Sequence, residues 1–582
     1  MEEAKGQTWP VRPVLLGALG AFAGLDAHLL IGNDFGSQLS AANAALLAFV
    51  TIAPGLIGFT LERARWRWSL VFALAGGLVA AGVVYWNGPI GGRDDAGGWR
   101  LFSLFLAIAV AAPLFQAARD SGKTRFPYPV VHDHAWTDIV LWCASWAFVG
   151  ITLLLALLLA GLFHLIRIDL LHDLMQEYWF LRVLTGAAFG IGLGILREHE
   201  TLVRVLRKVV TTVLAVLAPV LAFGLVVFLL ALPFTGLDTL WDATRSTTPI
   251  LLGCIIGGLI LANVVIGNGP EEQARNPALR YAAMALAVTM LPLAIIAAIA
   301  TGLRIGQHGF TPDRLWALTF VIVASAVGLA YLVSLVRGRK DWAEYVRPAN
   351  LNLAFGLCAI ALLLATPLIS FNAISTRDQV ARLESGKVKP EAFDWRALAF
   401  DFGAPGKVAL TQLRKSADAA IRGLAERASR AESRWEISDA PRADRHKLVA
   451  GLRVFPQGAT LPARLRDELL NNDALLADQA CSGEQSCTLL LVDERAALLV
   501  RNFCSPADGG RGSVFRPNCI DVDRYVLDGE KWRNAMRDEL APVDDATRKA
   551  QAEGYHAGQV EIRPVQRRQV FVGGVPVGDA FE

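Results

Sequence analysis

The chain has 582 residues, 54% of them hydrophobic and 19% charged, with a mean hydropathy of +0.40. A soluble globular protein carries about a quarter charged residues, so this composition excludes a simple cytosolic enzyme, a disordered chain and a coiled coil. The deficit is local: residues 1–371 hold 47 charged residues, 13% of that stretch, whereas residues 372–582 hold 62, or 29%. The first part is expected to live in lipid and the second in water.

A membrane helix needs about 20 apolar residues, because the hydrocarbon core offers backbone polar groups no partner. Eleven stretches qualify, at about 11–32, 43–61, 68–86, 101–118, 136–166, 182–196, 209–232, 249–266, 279–303, 314–336 and 350–371. Asp26 and His28 weaken the first and the sixth is short, which leaves ten and twelve as alternatives. With the N-terminus inside, the cytoplasmic segments carry 18 Lys and Arg and the opposite loops 7, as the positive-inside rule requires. An odd number of spans then puts the tail outside. The first apolar run lacks an A-x-A-like cleavage site and reads as an uncleaved signal anchor.

Within these spans, small residues recur every fourth position, at Gly20 and Gly24, at Gly186, Gly190 and Gly194, and at Gly253 and Gly257. Such strips allow close helix contact, or a sliding surface in a transporter. Ionisable residues are sparse, which disfavours a proton relay, a voltage sensor or an ion pump. The exception is His164, Arg167, Asp169, His172 and Asp173 at the outer end of the fifth span. Their spacing predicts an amphipathic interfacial helix anchored by Tyr178, Trp179 and Phe180; metal binding is the lesser alternative.

Three segments carry a resemblance: TRFPYPVVHDHAW (124–136), HGFTPDRLWALTF (308–320) and the stretch 371–410 that begins FNAISTRDQVARLE. Together they resemble DUF4153, a family of uncharacterised bacterial membrane proteins, over roughly residues 110–410. The resemblance implies an inner-membrane protein with many helices and an extramembrane C-terminal region, and no established activity, ligand or catalytic residue. Its motif residues are His134, Trp136, Gly309, Thr311 and Arg314. Physically, Thr311 and Pro312 suit a helix start, as cap and first residue. Arg314 is expected to pair with a carboxylate or a lipid phosphate. His132, Asp133 and His134 read as a local polar turn.

In the tail, 375–385 and 404–435 read as helices, and 488–492 with 496–500 as a hairpin; QVFVGG followed by VPVG suggests another. Asp521 and Asp523 alternate as on the outward face of a strand. Cys481, Cys487, Cys504 and Cys519 cluster within 39 residues, which suggests two disulfides and an oxidising compartment. Three connectivities are open, and a zinc site or free thiols are the rivals. Tail charge is balanced at 31 against 31, which argues against nucleic acid as a partner. No catalytic motif and no cofactor motif is present.

The expected fold is an all-α polytopic bundle of about 11 transmembrane helices, followed by a small extramembrane α+β domain. The expected boundaries are a multi-span domain over 1–371, a helical juxtamembrane region over 372–435, and a disulfide-stapled α/β or β-rich domain over 436–582. The expected location is the bacterial inner membrane, with a cytoplasmic N-terminus and a periplasmic or extracellular tail. The lipid bilayer is the expected partner, with envelope proteins or a small solute beyond it. The leading function is envelope sensing, scaffolding or assembly. A small-solute or lipid permease comes second, and a membrane enzyme resting on the interfacial cluster third.

Overall fold

The computed structural model describes residues 9–33, 38–90, 97–122, 126–236, 247–431, 434, 437, 452–456, 458–471, 487–502, 520–529, 531–535, 550, 553, 568–572 and 575–581. Its contacts separate two compact units, residues 1–387 with 400–409, and residues 388–399 with 410–582.

The first unit is helical: α1 (Arg12–Ile31), α2 (Ala41–Thr60), α3 (Trp66–Asn87), α4 (Gly98–Ser121), α5 (Tyr128–Leu165), α6 (Leu170–Gln176), α7 (Tyr178–Glu198), α8 (Glu200–Thr235), α9 (Thr247–Ile266), α10 (Pro277–His308), α11 (Pro312–Gly338), α12 (Trp342–Ala365) and α13 (Phe371–Glu384). Ten stretches are long and apolar enough to cross a membrane. The tenth, Pro312–Ala365, turns back at Arg339, whose φ is 48°. Trp316 at the start of α11 stacks on Trp99 at the start of α4, with ring centroids 5.9 Å apart. Ala365 at the end of α12 accepts from Asn87 Nδ2 at the same end of α3 (2.8 Å). Both ends of the hairpin therefore lie at one face, and α11 and α12 are separate passes. That makes eleven long apolar helices among the described residues.

The surface of this unit explains the missing charge. Phe22, Leu29, Val220, Phe223 and Phe234 are exposed, the last by 90%. Contiguous apolar surface of this kind has lipid as its natural solvent.

The glycine strips of α1 and α7 face each other. A Cβ on Gly20 would lie 2.0 Å from Gly186 O, one on Gly190 2.0 Å from Leu16 O, and one on Gly24 2.3 Å from Arg182 O. The two antiparallel helices therefore touch backbone to backbone, at a distance only glycine permits. The second half of the bundle has a larger apolar core, with Ala218, Ile255, Leu286, Met290, Leu293 and Tyr331 buried together.

In the second unit, α14 (Gly403–Leu413, shared with the first) is followed by α15 (Ala419–Arg430). The expected single helix over 404–435 is thus two. The first ends at Leu413, and five residues on Asp418 starts the second, its carboxylate accepting from Ala420 N (2.7 Å) and Ile421 N (3.3 Å). Beyond them lie β1 (Arg453–Phe455), α16 (Ala463–Asn471), β2 (Thr488–Leu491), β3 (Ala496–Asn502), β4 (Ile520–Asp528) and β5 (Lys531–Ala535). They form a sheet in the order β1-β2-β3-β4-β5, with β1 parallel to β2 and the other pairs antiparallel. Antiparallel strands need only short turns, whereas the parallel β1–β2 pair needs a crossover, and α16 lies in that connection. Leu465 and Leu469 of α16 pack with Leu489, Leu499, Tyr525 and Trp532 on one sheet face. The pair β6 (Arg568–Val572) and β7 (Val575–Phe581) is the second hairpin expected from sequence.

Asp523 does not face outward. It is 5% exposed and its carboxylate meets Arg501 Nη2 at 2.7 Å. Alternation places Asp523 on the side of Leu499 and Tyr525, the face that α16 covers, so the strand's polar position is a buried ion pair.

Candidate functional site

Two of the three motif segments meet at the turn between α10 and α11. Gly309 (φ 76°) ends α10, and Thr311 caps α11 by accepting from Arg314 N (3.4 Å), with Pro312 in the first helical position. Arg314 donates from Nη1 to the carbonyls of His308 (3.2 Å) and Gly309 (2.9 Å). Helix α13 lies against this turn. Asp378 Oδ2 accepts from Phe310 N (2.8 Å), and Gln379 Nε2 donates to His308 O and Phe310 O, both at 2.9 Å. Arg382, 9% exposed, donates to Gln307 O (3.1 Å) and Gly306 O (3.4 Å). Those last-turn carbonyls have no partner within α10, and the negative end of the helix dipole favours a cation there. A Cβ on Gly309 would meet Asp378 Oδ2 at 2.5 Å, so the left-handed backbone and the close approach both require glycine. The result is a clasp that fixes the first helix after the last span to the bundle.

The remaining motif segment lies at the opposite face. His132, Asp133 and His134 are helical, in the first turns of α5 behind Pro127 and Pro129, and so do not form a turn. Successive helical residues point about 100° apart, and the three side chains find three neighbourhoods. His134 Nε2 is 3.0 Å from Asp120 Oδ2 on α4. Asp133 accepts from Arg207 Nη1 (2.9 Å) and Asn268 Nδ2 (3.0 Å). His132 lies between the rings of Tyr128 (5.5 Å) and Trp136 (6.4 Å); neither of its ring nitrogens has a hydrogen-bond partner among the described residues.

Beside it runs a partly buried polar chain. Asn350 Nδ2 donates to Asn263 Oδ1 (2.6 Å) and to Tyr128 OH (3.4 Å), and Asn263 Nδ2 donates to Tyr331 OH (2.7 Å). Arg347 Nη2 donates to Ile266 O (3.0 Å). No sequence motif joins these residues. The available signal was polar residues in otherwise apolar runs, at 263, 331, 347 and 350.

An ionic layer at the same face closes the end of α2. Arg197 Nη1 donates to Gly58 O (2.6 Å), Gln116 Nε2 to Phe59 O (3.0 Å), and Arg119 Nη1 to Thr60 O. Arg119 also pairs with Glu62 (3.0 Å) and Asp120 (2.7 Å).

At the outer end of α5, His164 Nδ1 meets Asp169 Oδ1 at 2.6 Å, and its ring stacks on His172 at 4.9 Å. The predicted continuous amphipathic helix is absent: α5 ends at Leu165, Arg167 adopts φ 65°, and α6 has seven residues. His164 and Asp169 thus meet through a turn. Asp173 N bonds to Asp169 O within the start of α6 (2.8 Å). The described residues hold no group of three His, Cys, Asp or Glu able to bind a metal.

Cys487 is disulfide-bonded and 1% exposed, in the sheet core. Cys481, Cys504 and Cys519 lie outside the described residues. Cys143, Cys254 and Cys358, in the bundle, are free.

The family model of a domain of unknown function, DUF4153, matches residues 37–412. The chain belongs to the DUF4153 family. The match spans α2 to the end of α14, and so takes in the clasp, the polar chain and the ionic layer. The five-stranded sheet of this DUF4153 protein lies beyond it. No curated protein and no solved structure matches the chain.

Proposed function

We propose that this DUF4153 protein is an inner-membrane envelope protein with a cytoplasmic N-terminus, whose bundle holds a periplasmic C-terminal domain for a sensing, scaffolding or assembly role. The observation that carries the reading is the disulfide at Cys487, because disulfides persist in oxidising compartments. The Lys and Arg bias of the loops and the odd number of passes favour the same side for the tail. The division at 371 and 435 fits this reading: a lipid-embedded anchor, a helical connector fixed by the clasp, and a stapled sheet domain. The His164–Asp173 cluster is read as a headgroup-level anchor and the motif residues as structural, with no cofactor.

The test is the redox state of Cys487 in cells, by alkylation before and after reduction. An oxidised thiol, which becomes reduced when the periplasmic disulfide catalyst is deleted, is the expected result. A thiol reduced in both strains contradicts export.

A lipid permease is the second reading, favoured by an apolar cavity of about 560 Å³ among α1, α2, α5 and α7. It predicts faster transbilayer movement of a fluorescent phospholipid in proteoliposomes than in protein-free vesicles.

A further inference from the structure

The cavity among α1, α2, α5 and α7 has the dimensions of a single lipid chain. On α1 its lining runs from Leu16 to Ala27, about 17 Å at 1.5 Å per residue. One leaflet of a bilayer offers about 15 Å of hydrocarbon, half of a core of about 30 Å. The walls are glycine, alanine, leucine and aromatic side chains, among them Trp146 and Phe189. The slot is open to the surface of the bundle, so in a bilayer its apolar walls meet lipid chains.

Its one charged lining residue, Arg182, lies at the end nearest the α1 terminus. There Arg182 Nη1 donates to Gly32 O (2.8 Å) and lies 3.0 Å from His28 Nδ1. These contacts hold the guanidinium at the depth where a lipid whose chain filled the slot would carry its phosphate. Arginine is the side chain whose forked donors match a phosphate. The geometry points to a resident phospholipid, with one acyl chain in the slot and its phosphate at Arg182. This rests on embedding in a bilayer and not on the orientation of the bundle or the role of the tail.

Gly55 offers a way to fill the slot without touching Arg182 or the α1–α7 contact. It lines the cavity, and a Cβ placed there meets nothing within 4 Å. The full chain, delipidated in detergent, is titrated with phosphatidylglycerol or with the matching diacylglycerol, and the first bound lipid is followed by native mass spectrometry. Phosphatidylglycerol should bind at least tenfold more tightly than diacylglycerol. Gly55→Phe should lower phosphatidylglycerol affinity at least tenfold while the empty protein melts as the wild type does. Should the phenyl ring disturb the fold, Gly55→Leu is the smaller filler and carries the same expectation. Filled variants that bind as the wild type does, or equal affinity for diacylglycerol, overturn the proposal.

Discussion

At the scale of single residues, the decisive positions are those where a side chain is either forbidden or cannot be spared. Gly190 is forbidden one, because its Cβ would sit 2.0 Å from the Leu16 carbonyl. Gly190→Leu should therefore cost about 3 kcal/mol, the upper end for overpacking, read as a lower melting temperature in detergent. Gly55→Ala, in open space, should leave it unchanged. Asp523 cannot be spared: Asp523→Ala leaves Arg501 charged and buried, which costs about 3–5 kcal/mol. Protease sensitivity of the tail in the full chain reads this out. Glu426 is partly exposed, and its hydrogen bond from Arg414, with Arg430 beside it, holds its carboxyl below the usual value of 4.5. A depressed carboxyl stabilises the folded state above its unfolded value, and loses that contribution as pH falls through the folded one. Acidification below about pH 4 should loosen α15 in hydrogen exchange, and Glu426→Gln should remove that pH dependence. The sequence already marked the glycine spacing. The inward turn of Asp523 was not legible, because strand alternation tells which residues share a face but not which face a helix will cover.

At the scale of elements, apolar length made the spans legible: each of the eleven expected stretches falls on a helix of 20 residues or more, although the last helix ends at Ala365 and not at 371. Helix interruptions were harder. The breaks at Arg167 and between α14 and α15 occur in stretches whose periodicity runs on, and local capping by Asp418 outweighs that pattern. The clasp was half legible: its segments stood out in sequence, but pairing of 308–314 with 371–384 depends on α11 and α12 returning the chain to one face. Arg382→Met should remove the donors to Gly306 and Gln307 at a cost of about 1–3 kcal/mol. Faster hydrogen exchange across 371–384, with α1 and α7 unchanged, is the expected readout. The polar chain around Tyr331 escaped for the opposite reason. Its members lie on four helices far apart in sequence, and nothing local links them.

At the scale of the whole molecule, the low charge fraction resolves into a lipid-facing bundle of eleven passes and a separate sheet domain with a disulfide. The proposed topology, with an odd number of passes and Lys and Arg concentrated on alternate loops, puts the two ends of the chain on opposite sides of the membrane. The most direct measurement is labelling of Ala440→Cys with a membrane-impermeant maleimide in intact spheroplasts, after Cys143, Cys254 and Cys358 are replaced by serine. Labelling before permeabilisation is the result expected of an exported tail. Labelling only after permeabilisation would place the tail in the cytoplasm and contradict the account.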